Sequence, residues 1–282
     1  MILIFLTAIA LVAFAANSVL CRMALGSGSI DPVSFTSIRL VGGALALTLI
    51  FWVTQGNSAI QKPQGSWRSG VALFAYAISF SLAYISLSSG TGALILFGAV
   101  QITMLLAAFR SGEKMRAVQW IGFCIAIAGI VYLVTPGISA PDLGGALLMM
   151  ISGIAWGLYS IAGKSVTAPI AMTAGNFIRA AVITVPTSIC ALAMMNVNSY
   201  GVSLALASGV VTSGMGYVIW YKAVPMLTTT QAAVVQLLVP LLAALGGVIF
   251  ISEQFTVRLG IASLLILGGV VLSIFAKQNR PN

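Results

Sequence analysis

Ten apolar runs follow one another through almost the whole of this chain, each close to the roughly 20 residues that an α-helix needs to cross the hydrocarbon core of a bilayer. They cover Ile2 to Cys21, Val33 to Thr54, Gly70 to Leu87, Ala93 to Phe109, Val118 to Thr135, Leu143 to Gly163, Ala168 to Met195, Val202 to Ala223, Thr230 to Ile251 and Leu259 to Ala276. Ten spans take up about 200 residues, so a chain of 282 has room for connections but not for a soluble catalytic or nucleotide-binding domain. Only 6% of the residues are charged, against roughly 25% in a soluble domain. The expected fold is an all-α integral membrane protein with ten transmembrane helices. The opening Met1-Ile2-Leu3-Ile4-Phe5 has no basic residue ahead of it and its run shows no small-residue cleavage pattern, so it reads as a retained first helix.

The net charge of +9 comes from 13 Lys plus Arg against 4 Asp plus Glu. In a membrane protein such an excess marks cytoplasmic loops rather than nucleic-acid binding. With the amino terminus inside, the even-numbered connections and both tails hold Lys62, Arg68, Arg110, Lys114, Arg116, Lys164, Lys222, Lys277 and Arg280, nine of the 13 basic residues. The other side holds Arg22 and Arg258 with Asp31, Asp142 and Glu253. This bias places both termini in the cytoplasm. Arg39 and Arg179 remain, inside spans.

The sequence also matches itself at half its length. Ile38-Arg39 returns as Ile178-Arg179 and Glu113 as Glu253, both at an offset of 140; Ile121-Gly122 returns as Leu259-Gly260, Gly129 as Gly268 and Arg22 as Lys164, at 138, 139 and 142. The shared order and near-constant offset point to duplication. Five spans is an odd number, so the second unit enters the bilayer from the opposite side. The expectation is two inverted five-helix repeats, residues 1–137 and 138–282, with a site near the midplane where they meet.

Phe35-Thr36-Ser37-Ile38-Arg39 and Asn176-Phe177-Ile178-Arg179 on the second helix of each half, Pro240-Leu241-Leu242-Ala243-Ala244 leading to Glu253, Gly260 and Leu264-Leu265-Ile266-Leu267-Gly268-Gly269 resemble the drug/metabolite transporter superfamily, specifically its ten-span EamA-type members. Among these the chain is most similar to YddG-type amino-acid exporters of the bacterial inner membrane. Val100 departs from the pattern, standing where a proline would match Pro240. The resemblance implies a 5+5 inverted fold around a central cavity and secondary transport of a small metabolite, usually outward.

An arginine inside a span costs about 3 kcal/mol unless it faces protein or a wet cavity. Arg39 and Arg179 therefore either grip a substrate carboxylate or phosphate in a bidentate fork, or satisfy helix-end carbonyls and snorkel. Arg179, about ten residues into its span, is favoured over Arg39, which lies nearer an end. Asn176 shares the helix face of Arg179; Asn17, Gln101, Ser213 and Gln236 add polar candidates, although such residues are more often interhelical glue than ligands. Pro240 frees the carbonyl of Gln236, and Pro186 that of Val182. Aromatic stripes run through Tyr76, Phe80 and Tyr84, through Trp156 and Tyr159, and through Tyr217, Trp220 and Tyr221. Phe80, Tyr84, Trp156, Tyr159 and Tyr217 are candidates for an aromatic cavity wall, while Trp220-Tyr221 beside Lys222 reads as an interfacial belt.

There is no histidine, and all four carboxylates fall at span ends or in connections. An intramembrane carboxylate or histidine proton relay is thus not expected, and Glu113 and Glu253 suit helix-end roles beside Arg116 and Arg258. Cys21, Cys124 and Cys190, odd in number and widely spaced, read as packing residues and not as a disulfide or metal set. The Gly157 to Ser165 stretch resembles a P-loop but has five residues between its glycines instead of four. No catalytic group, cofactor or metal is expected. The chain reads as a secondary transporter exporting small metabolites, foremost amino acids with aromatic or other apolar ones among them, by alternating access as uniporter or exchanger. Multidrug efflux is the alternative; a channel lacks a ring of charges or filter, and an intramembrane enzyme lacks a base. The expected partners are a small-molecule substrate and the lipid bilayer, without nucleic acid, and the carrier is expected to act as a monomer.

Overall fold

The computed structural model describes residues 1–55, 63–112, 116–137, 139–163, 168–227, 232 and 235–278. Among these the regular secondary structure is helical, apart from one isolated antiparallel bridge between Ile30 and Val197. The helices are α1 (Ile2–Gly26), α2 (Pro32–Gln55), α3 (Trp67–Ala83), α4 (Ser89–Arg110), α5 (Ala117–Val134), α6 (Leu143–Ala162), α7 (Pro169–Cys190), α8 (Ser199–Met226), α9 (Leu238–Ile251) and α10 (Val257–Gln278). Eight are long and apolar enough to cross a membrane; α9 is apolar with 14 described residues, and α3 has 17. Lys62, Glu113, Lys114, Lys164, Ser165 and Arg280, which entered the charge, repeat and P-loop readings, lie outside the described residues.

Side-chain caps explain where several helices begin, and why some begin away from the apolar runs. Ser88 accepts the Thr91 amide at 3.4 Å, so α4 starts four residues before Ala93. Ser66, Asp142 and Asn198 do the same for α3, α6 and α8 at 2.6–3.1 Å. Asp31 takes the amides of Val33 and Ser34 at the head of α2. At the other extreme α1 continues past Cys21 to Gly26, which carries Arg22 inside a helix, and α7 stops at Cys190 with Pro186 within it. Helix α8 contains a π-helical stretch, Ala207–Met215, that no residue pattern announced. There Gly209 lies so close to α2 that a Cβ would collide with the backbone of Arg39.

The helices pack as α3 on α6 and α7, α2 on α7 and α8, α1 on α8 and α9, and α4 on α6 and α9. Helices α5 and α10 pack chiefly on each other, where Gly122, Gly129 and Gly269 let the backbones approach. Phe35, Phe51, Phe80 and Phe177 are fully buried, while Leu45, Leu49, Leu158, Ile249, Phe250 and Leu264 project outward. So broad an apolar exterior needs lipid around it. Of the three cysteines only Cys21 is a core residue; Cys124 and Cys190 are exposed on that exterior.

The connections α1–α2, α3–α4, α5–α6, α7–α8 and α9–α10 gather at one end, and it is tied shut. Arg22 donates through Nε to Glu253 at 3.3 Å and through its terminal nitrogen to the Tyr84 and Ile85 carbonyls at 3.1 and 2.7 Å. The Ser89 amide donates to both Glu253 oxygens, at 3.1 and 2.9 Å. One ion pair thus joins α1, the α3–α4 turn and the α9–α10 turn. Asp31 accepts the Asn196 amide, and Asp142 the Ser86 hydroxyl. Glu253 was expected beside Arg258; that residue instead donates to the Thr135 carbonyl at 2.6 Å and stacks over Tyr132.

Candidate functional site

At the opposite end the bundle is hollow. A vestibule of about 520 Å³ is bounded by the start of α3 at Ser69, Gln101 and Met104 of α4, the end of α6 from Trp156 to Gly163, the start of α7 from Pro169 to Asn176, and the end of α8 from Tyr217 to Leu227. It narrows past Phe14, Trp156, Tyr217 and Gln236 into a deep pocket of about 40 Å³, enough for a few waters or one small polar group.

Arg39 lies at the base of that pocket. It sits seven residues into α2, about 10 Å along the helix axis, and is 2% exposed. One terminal nitrogen donates to the Tyr76 hydroxyl at 2.9 Å, and Nε is 3.4 Å from the Ser213 hydroxyl. The guanidinium carbon lies 5.2 and 5.1 Å from the ring centres of Tyr76 and Phe80. The other terminal nitrogen is buried and has no partner. No described carboxylate faces it, because Asp31, Asp142 and Glu253 are all engaged at the closed end. A guanidinium in this state has given up water without full compensation.

The polar groups beside Arg39 are also donors. The Asn17 carbonyl oxygen accepts from the hydroxyls of Ser208 and Thr212, at 2.7 and 3.2 Å, so its NH₂ is what it offers the pocket. Both hydroxyls come from the π-helical stretch of α8, as does Ser213. Aromatic rings form the wall above. Trp156 stacks on Tyr159 at 5.3 Å and on Tyr217 at 5.5 Å, with interplanar angles of 27° and 29°. Tyr76 adjoins Trp156 at 4.8 Å, and Tyr221 stacks beyond Tyr217. A continuous ladder of rings therefore runs from the pocket base to the mouth.

Ten of the twelve residues singled out from the sequence line these two spaces: Asn17, Arg39, Phe80, Ser213 in the pocket, Gln101, Tyr159, Asn176 in the vestibule, and Trp156, Tyr217, Gln236 in both. Arg179 and Tyr84 do not. The Arg179 guanidinium donates to the Gly175 and Gln64 carbonyls at 2.8 and 3.3 Å and covers Trp67. Of the two arginines it is Arg39, and not the favoured Arg179, that lines the pocket, because distance along a run says nothing of which helix face meets the cavity. Tyr84 is sealed against Gly92 with its hydroxyl on the Ser89 carbonyl. Asn176 lines the vestibule, but its oxygen holds the Ser66 amide at 3.0 Å. Trp220 and Tyr221, expected in an interfacial belt, face the vestibule instead, and Trp220 is only 9% exposed. Phe14, Tyr76 and Thr212 are lining residues that the sequence reading passed over; Tyr76 could have been found from its stripe. Because Arg179 touches neither space, Arg179→Ala is expected to keep counterflow of a labelled substrate in proteoliposomes within about twofold of the unmodified carrier. A loss above tenfold would return it to the site.

A bundle of apolar helices whose described residues enclose a polar-based cavity toward one end suits a membrane transporter. The EamA-like transporter family matches residues 1–135 and again residues 143–275, and the chain belongs to that family, within the drug/metabolite transporter superfamily. It is a multi-pass membrane transporter and not an enzyme. It is 46% identical over 275 residues to an uncharacterized protein of Pseudomonas aeruginosa, across 98% of this chain and 95% of that one. It is 23% identical to the uncharacterized transporter YoaV of Bacillus subtilis, over 92% of each chain. A probable amino-acid metabolite efflux pump of Escherichia coli is 20% identical over 90% of this chain and 89% of its own. A crystal structure 20% identical in sequence superposes over 98% of this chain and 99% of that one with a TM-score of 0.63, a likeness of fold.

Proposed function

We propose that this chain is a secondary carrier of the bacterial inner membrane that exports small carboxylate-bearing metabolites, foremost amino acids and among them aromatic or other apolar ones, by alternating access as a uniporter or exchanger. The observation that carries the reading is Arg39, a buried cation with an unpartnered nitrogen at the base of the cavity. A substrate carboxylate would supply the missing counter-charge through charge-assisted hydrogen bonds, and the ring ladder would receive an apolar side chain. The E. coli relative's description as a probable amino-acid metabolite efflux pump agrees with this.

The same proposal includes ten spans in two inverted repeats, residues 1–137 and 138–282. Exchanging each of α1–α5 with its counterpart in α6–α10 turns the α3–α6 contact into α8–α1, α4–α6 into α9–α1 and α3–α7 into α8–α2, and maps α2–α7, α4–α9 and α5–α10 onto themselves. All of these contacts are present, which supports the repeat, as do the two consecutive family matches. With both termini cytoplasmic, the vestibule faces the cytoplasm. The described residues of one chain line both spaces, which supports the monomer as the proposed working unit.

The test is counterflow in proteoliposomes with a panel of labelled amino acids and one organic cation, tetraphenylphosphonium. Saturable exchange of amino acids without cation flux is the expected result. Cation exchange without amino-acid exchange would overturn the reading in favour of multidrug efflux.

A further inference from the structure

We infer that the site prefers aryl carboxylates that carry a net negative charge over the corresponding zwitterionic amino acids; this rests on the carboxylate-carrier reading and, within it, ranks these acids above the amino acids. The argument begins with charge. A zwitterion brings two charges into the cavity, and Arg39 can compensate only one of them. The sequence has four carboxylates; three are engaged at the closed end, and Glu113 lies outside the described residues. No described anionic group lines either space.

Other ways of holding an ammonium are weak here. The amide oxygens of Gln101 and Gln236 are acceptors but carry no charge; that of Gln236, whose nitrogen donates to the Ala232 carbonyl at 3.0 Å, offers an ammonium a hydrogen bond without a counter-charge. The Asn17 oxygen is occupied by two hydroxyls. Aromatic faces attract cations, but at the pocket base those of Tyr76 and Phe80 are taken by Arg39 itself. An ammonium on the carbon next to a bound carboxylate would also sit within a few ångströms of the guanidinium and be repelled by it. Replacing that ammonium with a hydroxyl or carbonyl removes the repulsion and keeps both the carboxylate and the ring. The chemical class that fits is thus a 2-hydroxy or 2-oxo acid with an aryl side chain, the ring resting on Trp156 and Tyr217.

The test uses the unmodified carrier, shown to be folded by its thermal transition, and four solutes that share one skeleton: phenyllactate, phenylpyruvate, phenylalanine and phenethylamine. Labelled phenyllactate and phenylalanine are followed in counterflow, and all four compete. The expected result is half-saturation by phenyllactate and phenylpyruvate at concentrations at least tenfold lower than by phenylalanine, with no effect of phenethylamine. Equal or stronger use of phenylalanine would overturn this inference and leave the carboxylate-carrier reading in place. If phenethylamine competes and the acids do not, both fail together. Absence of any exchange or competition by the folded protein would also overturn the inference.

Discussion

Arg39→Gln is expected to abolish carboxylate counterflow while leaving the protein folded. Glutamine keeps a donor in place but removes the charge and the fork. Deleting one member of a buried, hydrogen-bonded charge pair costs about 2–5 kcal/mol, and each 1.4 kcal/mol is about a factor of ten in affinity. Half-saturation should therefore rise by about thirtyfold or more, beyond the range of a usual uptake assay. Stability should move the other way. The guanidinium is buried with one nitrogen unpartnered and no described carboxylate facing it, and relief of that incompletely compensated burial is expected to offset the lost bonds to Tyr76 and Ser213. A thermal midpoint equal to or above that of the unmodified protein, together with lost transport, would identify Arg39 as a ligand. A clear drop in the midpoint would make it a packing residue.

The second large effect is expected at the closed end. Glu253→Ala strips Arg22 of its counter-ion and the Ser89 amide of its acceptor. Both side chains are partly exposed, at 23% and 12%, so water recovers some of the loss, and about 2–3 kcal/mol of destabilisation of this closed arrangement is expected. That is enough to change the ratio of closed to open forms about thirtyfold or more. Cys21, one residue before Arg22 and fully buried, reports on it. With Cys124 and Cys190 replaced by alanine, a membrane-impermeant maleimide should label Cys21 faster in Glu253→Ala than in the parent. Equal labelling rates would show that the ion pair does not hold this end shut.

Most of the helices were legible in the sequence because lipid demands one property, apolarity over a fixed length, and that property can be counted along a chain. The details that set the site are relational. Ser88 and Ser66 move helix starts by capping, a short-range signal that could have been read. The pairing of Glu253 with Arg22 spans 231 positions, and no local pattern announces it. Arg39 and Arg179 occupy matched places in Ile38-Arg39 and Ile178-Arg179, yet one turns into the pocket and the other toward Gln64 and Trp67. Asn17 was visible as a polar residue in an apolar span, but the hydroxyls that orient it come from a π-helical stretch with no sequence signature. Trp220 was misplaced for a similar reason: a tryptophan beside a lysine near a helix end suits an interface and a cavity mouth equally well.

A guanidinium that no described carboxylate faces also has an electrical meaning. In a carrier that takes monoanions, as inferred above, the site holds one positive elementary charge when empty and none when the monoanion rests on Arg39. Moving one such charge through the whole membrane field is worth about 2.3 kcal/mol per 100 mV. Voltage therefore acts on the vacant half of the cycle and spares the occupied half, and the membrane potential, without any coupling ion, sets how readily the empty site returns.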